Sequence, residues 1–207
     1  ILFLAAINLT ASLYNAALPA MLLSRQGGGQ AALGLVNTCT GLATVAGSVL
    51  VTLAPAPKSR VKVICNTLLL SMGIENVLLA VGRTLPVWCV GGVLLIPVMN
   101  TNLNALLRSH IPLEMQGRVF AARNTLQFFT IPVGYLLGGV LVDRVFEPLM
   151  AVQFPGSPLL FLFGESKGSG AAMLFLLLAV TGEATCLIFR RDRHIWALEK
   201  KKPSDPS

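Results

Sequence analysis

Two acidic residues stand where acids are rare. Glu75 and Glu183 each lie inside an apolar run long enough to be a helix in hydrocarbon. Charging a carboxyl group in such surroundings costs several kcal/mol. Such a group exchanges its proton only when a change of conformation wets it, and that is the chemistry of a proton relay. The competing reading is a static hydrogen bond, with Asn76 beside Glu75 as the nearest amide. Glu75 is 13 residues into its run, about 20 Å along a helix that rises 1.5 Å per residue. Both acids are candidates for proton coupling.

A second set of polar residues recurs at helical spacing. Asn8, Ser12 and Asn15 are four and three apart in the first apolar run. Asn100 and Asn104 are four apart just after Pro97, with Asn102 on another side. Residues three or four apart share a helix face, and polar faces within a membrane turn toward a bundle interior or a wet cavity. Asn8, Ser12, Asn15, Asn100 and Asn104 are therefore candidates for lining a substrate cavity. Small residues form a third pattern: Gly41 with Asn37, Thr44 and Ser48, and Gly134, Gly138 and Gly139 beyond Asn124 and Gln127. Small residues let membrane helices approach closely, so these glycines are read as packing positions.

Other chemistry is missing from the sequence. It has no Gly-rich phosphate loop, no H-E-x-x-H and no G-x-S-x-G. The four cysteines, Cys39, Cys65, Cys89 and Cys186, sit singly in apolar runs, and His110 and His194 are isolated, so no metal site or cofactor is expected. The reading is a non-enzyme whose driving force would be an ion gradient.

The elements that must position these residues follow from composition. Of 207 residues 54% are hydrophobic and 12% charged, against about 25% charged in a soluble domain. Much of the surface must face a lipid bilayer. Crossing it takes about 20 apolar residues, and six runs qualify: about 1–24, 30–54, 62–82, 85–107, 119–142 and 170–189. Gly27-Gly28-Gly29, Pro55-Ala56-Pro57, Gly82 to Pro86 and Ile111-Pro112 separate them, as residues that break helices do. The expected fold is an all-α membrane protein with six transmembrane helices over residues 1–192. A long outer connection, 143–169, would lie at the interface or pack over the bundle. A basic tail, 193–207, is expected to be disordered.

Basic residues orient the spans. Twelve fall in the connection after the second span, the connection after the fourth span and the tail; four fall on the opposite side. The positive-inside rule puts the twelve, and the C-terminus, in the cytoplasm. The net charge of +7 thus reflects topology, and no basic patch with interleaved aromatics suggests nucleic acid. The chain opens on Ile1 within an apolar run, without a signal peptide pattern, and further sequence is expected upstream.

One stretch carries a resemblance. Pro112-Leu-Glu-Met-Gln-Gly-Arg-Val-Phe120, the run Ile131-Pro-Val-Gly-Tyr-Leu-Leu-Gly-Gly-Val-Leu-Val-Asp143 and Gly164-Glu-Ser-Lys-Gly-Ser-Gly170 resemble major facilitator superfamily exporters. The nearest branch is the macrolide-efflux and enterobactin-exporter type. The resemblance implies that the six spans are helices 7–12 of a twelve-helix fold, built as inverted three-helix repeats. It implies a partner half of six further helices, upstream or in a second chain. It also implies a plasma-membrane exporter of amphipathic small molecules, with the first and fourth spans lining the cavity. The superfamily's cytoplasmic Gly-x-x-x-Asp-Arg-x-Gly-Arg signature is degenerate here, leaving Lys58, Arg60 and Lys62, while Gly139-x-x-x-Asp143-Arg144 imitates it on the opposite side. Gly117 and Arg118, with Glu114, are candidates for a cytoplasmic gate; Arg118 would bind carbonyls or pair with Glu114, or else only snorkel to the interface. The alternative function is a non-transporting membrane scaffold or remnant, which a start codon directly before Ile1 would favour.

Overall fold

The structure, a computed structural model, describes residues 2–55, 57–93, 96–154, 156–191 and 196. Among the described residues it is all helix, without strands. Five helices are long and apolar enough to cross a membrane: Ala5–Ser24, Gln30–Leu53, Arg60–Val81, Leu113–Ala151 and Ser169–Ile188.

Their limits follow from backbone chemistry. Helix α1, Leu2–Ser24, ends where Gly27 and Gly29 take positive φ, and Gly29 N–H returns to Leu22 O at 2.8 Å. Helix α2, Gln30–Leu53, stops before Pro55 and Pro57. Ser59 then caps the next helix, its hydroxyl accepting from Lys62 N–H at 3.2 Å. That helix is one rod of three pieces: α3 (Arg60–Leu69), a π turn (Leu70–Glu75) and α4 (Asn76–Val81).

The fourth expected span, 85–107, is not one continuous helix. Helix α5, Leu85–Gly91, stops at Gly92, and α6, Ile96–His110, starts afterwards. Pro97 provides the physical reason, since it has no N–H to continue a ladder from the preceding turn. The released Gly92 carbonyl accepts from Thr40 Oγ1 of α2 at 2.6 Å. Broken helices survive in apolar surroundings when a neighbour satisfies the freed backbone groups in this way.

The fifth span is longer than its apolar run. Helix α7 (Leu113–Val140), a π turn (Leu141–Phe146) and α8 (Glu147–Ala151) form a rod from Leu113 to Ala151. Residues 113–118 and 143–151, expected in connections, are thus helical. They carry charges and only two residues that disfavour helix: Gly117, within the first two turns of α7, and Pro148, which falls in the first turn of α8 and is tolerated there. Helix α9, Pro158–Phe163, packs on α4 and α10, and Phe163 is fully buried. Helix α10, Ser169–Arg191, runs through the centre, touching α1, the Arg60–Val81 rod and the second π turn. The tail expected at 193–207 lies outside the described residues except for Trp196, whose Nε1 donates to Arg190 O at 2.7 Å.

The core has two centres. One joins Tyr14, Met21, Leu22, Trp88, Phe163 and Phe175; the other joins Ile7, Val61, Leu68, Met72, Met99 and Leu106. Helices α1 and α7 make the most extensive contact between two helices. Gly134 and Gly138 enable it: a Cβ at 134 would overlap Ser12 Cβ, and one at 138 would lie 2.8 Å from Ala16 Cβ.

Candidate functional site

The π turn of the Arg60–Val81 rod carries the densest polar chemistry among the described residues. A π turn places one extra residue in the helical ladder, and such turns are common at functional sites. Ser71, Glu75 and Asn76 are all buried there; Glu75 is 7% exposed and Asn76 3%. Ser71 Oγ donates to Glu75 Oε2 at 2.7 Å. Asn76 Nδ2 donates to Met72 O at 2.8 Å and Ser71 O at 3.4 Å. The amide expected to hold Glu75 is therefore held by backbone carbonyls, and the serine one turn earlier holds the carboxyl.

Because Asn76 Nδ2 faces carbonyls, its Oδ1 must face away from them. Asn76 Oδ1 and the Tyr14 hydroxyl are both buried without a hydrogen-bond partner among the described residues. Both residues line one small cavity between α1 and the π turn, with Thr10, Ala11, Asn15, Ser71 and Met72. Its volume is about 30 Å³, enough for one or two waters. The Tyr14 ring is fixed edge-on to Phe175, with centroids 5.3 Å apart.

Glu183 approaches the same turn from α10. It is on an exposed part of that helix, yet its carboxyl lies over Gly73, where a Cβ would overlap Oε1. Both acids thus converge on Leu70–Glu75 from two helices.

The candidate cavity residues are spread over more than one place. Asn15 is exposed and lines the small cavity, Asn8 is half-buried, and Ser12 is buried against Gly134 with its hydroxyl on Asn8 O at 2.8 Å. Asn100 and Asn104 are half-buried on α6, away from that cavity, and Asn104 Oδ1 accepts from Arg123 Nη1 of α7. Asn102 is buried and returns its amide to Val98 O at 2.9 Å. Gly41 and Gly139 are exposed, and a Cβ at either would meet nothing within 4 Å among the described residues.

At the α6–α7 turn, Glu114, Gly117 and Arg118 are all exposed, and no ion pair joins Glu114 to Arg118 among the described residues. Gln116 orders the turn instead, donating to Ile111 O at 3.1 Å and Arg108 O at 3.3 Å. The Arg108 guanidinium stacks 6.0 Å from the Phe120 ring centre.

A second polar place lies at the opposite end of the bundle, beside α9. Arg25 is 6% exposed and donates to Phe163 O at 2.9 Å, to Leu79 O at 3.4 Å and to Ala80 O at 3.5 Å. Its guanidinium lies 5.9 Å from the Trp88 ring centre. Arg83 donates to Phe161 O. Cations at helix C-termini oppose the helix dipole favourably, so the two arginines clasp the ends of α4 and α9. Burial, then repulsion from Arg83, holds the Arg25 guanidinium below the ordinary arginine range. Both line a groove of about 960 Å³ with Glu165, Phe161 and Leu160.

Three residues of these sites were not singled out from sequence. Ser71 was legible, being four residues before Glu75 on one helix. Tyr14 and Arg25 were not, because their roles depend on contacts between distant helices. The chain matches no protein-family model, no curated protein and no solved structure at a significant level. What fold and site together define is a class, a helical protein with five helices long and apolar enough to cross a membrane among the described residues.

Proposed function

We propose that the chain is one half of a secondary active transporter, which exports amphipathic small molecules from the cytoplasm at the expense of an ion gradient. The observation that carries this reading is the Glu75 carboxyl, buried at a helical irregularity midway through an apolar rod. Intramembrane acids are rare, conserved for a function where they occur, and typical of proton relays. The broken fourth span gives further support, since interrupted helices build midplane sites in secondary transporters. The resemblance of Pro112–Phe120 to exporters supplies the direction and the substrate class.

On this reading the six spans correspond to helices 7–12 of a major facilitator fold in the plasma membrane, with the C-terminus in the cytoplasm. Glu75 is the leading coupling residue and Glu183 the second. Asn8, Asn15, Asn100 and Asn104 offer polar groups to substrate, and the exposed faces of α2 and α7 receive the other six helices.

The test uses the whole gene that encodes this chain, expressed in cells lacking major drug pumps. Everted vesicles energised with a proton gradient should accumulate ethidium, and a protonophore should abolish the accumulation. Glu75→Gln should keep expression and downhill dye exchange but lose uphill accumulation. Accumulation equal to that of empty-vector vesicles would reject export of such dyes, and an unaltered Glu75→Gln protein would remove Glu75 from coupling.

A further inference from the structure

The mechanism above leaves one problem: Glu75 is too deeply buried to trade protons with water directly. The small cavity beside it answers this by donor and acceptor accounting. Tyr14 offers an unpaired O–H, and Asn76 offers an unpaired Oδ1. Ser71 Oγ, committed as a donor to Glu75, keeps lone pairs free. One water there would accept from Tyr14, donate to Asn76 Oδ1 and donate its second proton to Ser71 Oγ. Every orphan is then satisfied, as buried polar groups normally are. A bare cation fits the set less well, because the Tyr14 O–H would still lack an acceptor. The volume suits one or two waters.

We propose that the cavity between Tyr14 and the Leu70–Glu75 π turn holds a bound water that links Glu75, through Ser71, to the exposed Asn15, as the proton route of the carboxyl group.

The step balances without any further reagent. When the Glu75 carboxylate takes up a proton, Ser71 passes to Glu75 Oε2 the hydroxyl proton it already donates there. The cavity water passes to Ser71 Oγ the proton it donates to that oxygen, and the water regains a proton from solvent at Asn15. Release runs the same steps in reverse. One proton moves, and each O–H bond broken is replaced by one formed. Tyr14 and Asn76 hold the water in place and do not themselves change protonation. Among titratable groups on the elements packed round this turn, α1 contributes Tyr14, α3 contributes Arg60, Lys62 and Cys65, α5 contributes Cys89, and α10 contributes Glu183, Cys186, Arg190 and Arg191. Of these only Tyr14 lines the cavity; Glu183 lies over Gly73. The proposal rests on Glu75 being a proton-exchanging group, and its test separates that premise from the route.

The experiment is a pH jump on the full chain in lipid nanodiscs, followed by infrared spectroscopy. The Glu75 band is assigned by its loss in Glu75→Gln. Tyr14→Phe removes one hydroxyl and retains the ring against Phe175, so the fold should persist. It should slow the Glu75 response about tenfold, the effect of one lost hydrogen bond in the path. Ser71→Ala, a helix-compatible change, should slow it at least as much. A wild-type rate in Tyr14→Phe overturns the route, as does a wild-type Glu75 that never responds to the jump. Slowed exchange combined with normal export in Glu75→Gln leaves the route standing and removes coupling.

Discussion

At the scale of single residues, sequence and structure agree best where a local pattern decides. Glu75 stands out in any reading, because an acid in an apolar run has few bland explanations. Its partner was another matter: Asn76 is adjacent in sequence, but adjacent residues point to different faces, whereas Ser71 is one turn away and forms the bond. Arg25 shows the opposite failure. Counted with loop charges, it is in fact buried and bonded to the carbonyl ends of α4 and α9. Arg25→Met should therefore strand those carbonyls and lose about 1.5–3 kcal/mol, the range for a hydrogen bond to a charged group. Arg25→Lys should recover only part of it, because one ammonium cannot reach three carbonyls with a fork's geometry. Thermal unfolding in detergent, read by the fluorescence of the nearby Trp88, would check both; an Arg25→Met protein as stable as wild type would show that the clasp contributes no net stability.

At the scale of elements, five of six spans were legible from apolar length and from Gly and Pro punctuation. The departures have local causes. The fourth span breaks because Gly92 and Pro97 lie within one and a half turns of each other, and because the Thr40 hydroxyl of α2 donates to the freed Gly92 carbonyl. No one-dimensional hydropathy pattern contains that hydroxyl. Thr40→Val should destabilise the protein by about 0.6–1.7 kcal/mol, the measured span for interhelical bonds in membranes. Thr40→Ser should restore it, and the difference between the two is the readout that excludes a mere packing effect. The α1–α7 crossing makes a sharper case. Gly134 was read as a packing position, and it meets the stiff Cβ of Ser12 and Leu9 O, neither of which can swing away. Gly134→Ala should separate the helices and cost about 1–3 kcal/mol, as overpacking does. Gly139→Ala, with nothing within 4 Å among the described residues, should change stability by less than about 0.5 kcal/mol, the usual limit for surface substitutions.

At the scale of the whole molecule, orientation remains the widest inference from sequence, since helix packing carries no sign for inside and outside. The argument is electrostatic. The sequence assigns twelve basic residues to one side of the expected spans and four to the other, and a bias of this kind sets topology during insertion. The structure sharpens the choice of positions for testing it. Ser169 is buried in the first turn of α10 and would report poorly, whereas Glu165 is exposed on the loop before it, and Ser59 caps the helix at the opposite end. Single cysteines at these two positions, with Cys39, Cys65, Cys89 and Cys186 replaced by alanine or serine, give a direct comparison. In intact cells an impermeant maleimide should label Glu165→Cys and spare Ser59→Cys. After permeabilisation both should react. The outer groove would then face the exterior, and the Arg108–Phe120 turn the cytoplasm, where a gate of the proposed exporter belongs. Labelling of Ser59→Cys alone in intact cells would invert the molecule and with it the direction of transport proposed above. Equal labelling of both would mean that the charge bias does not control insertion of this chain.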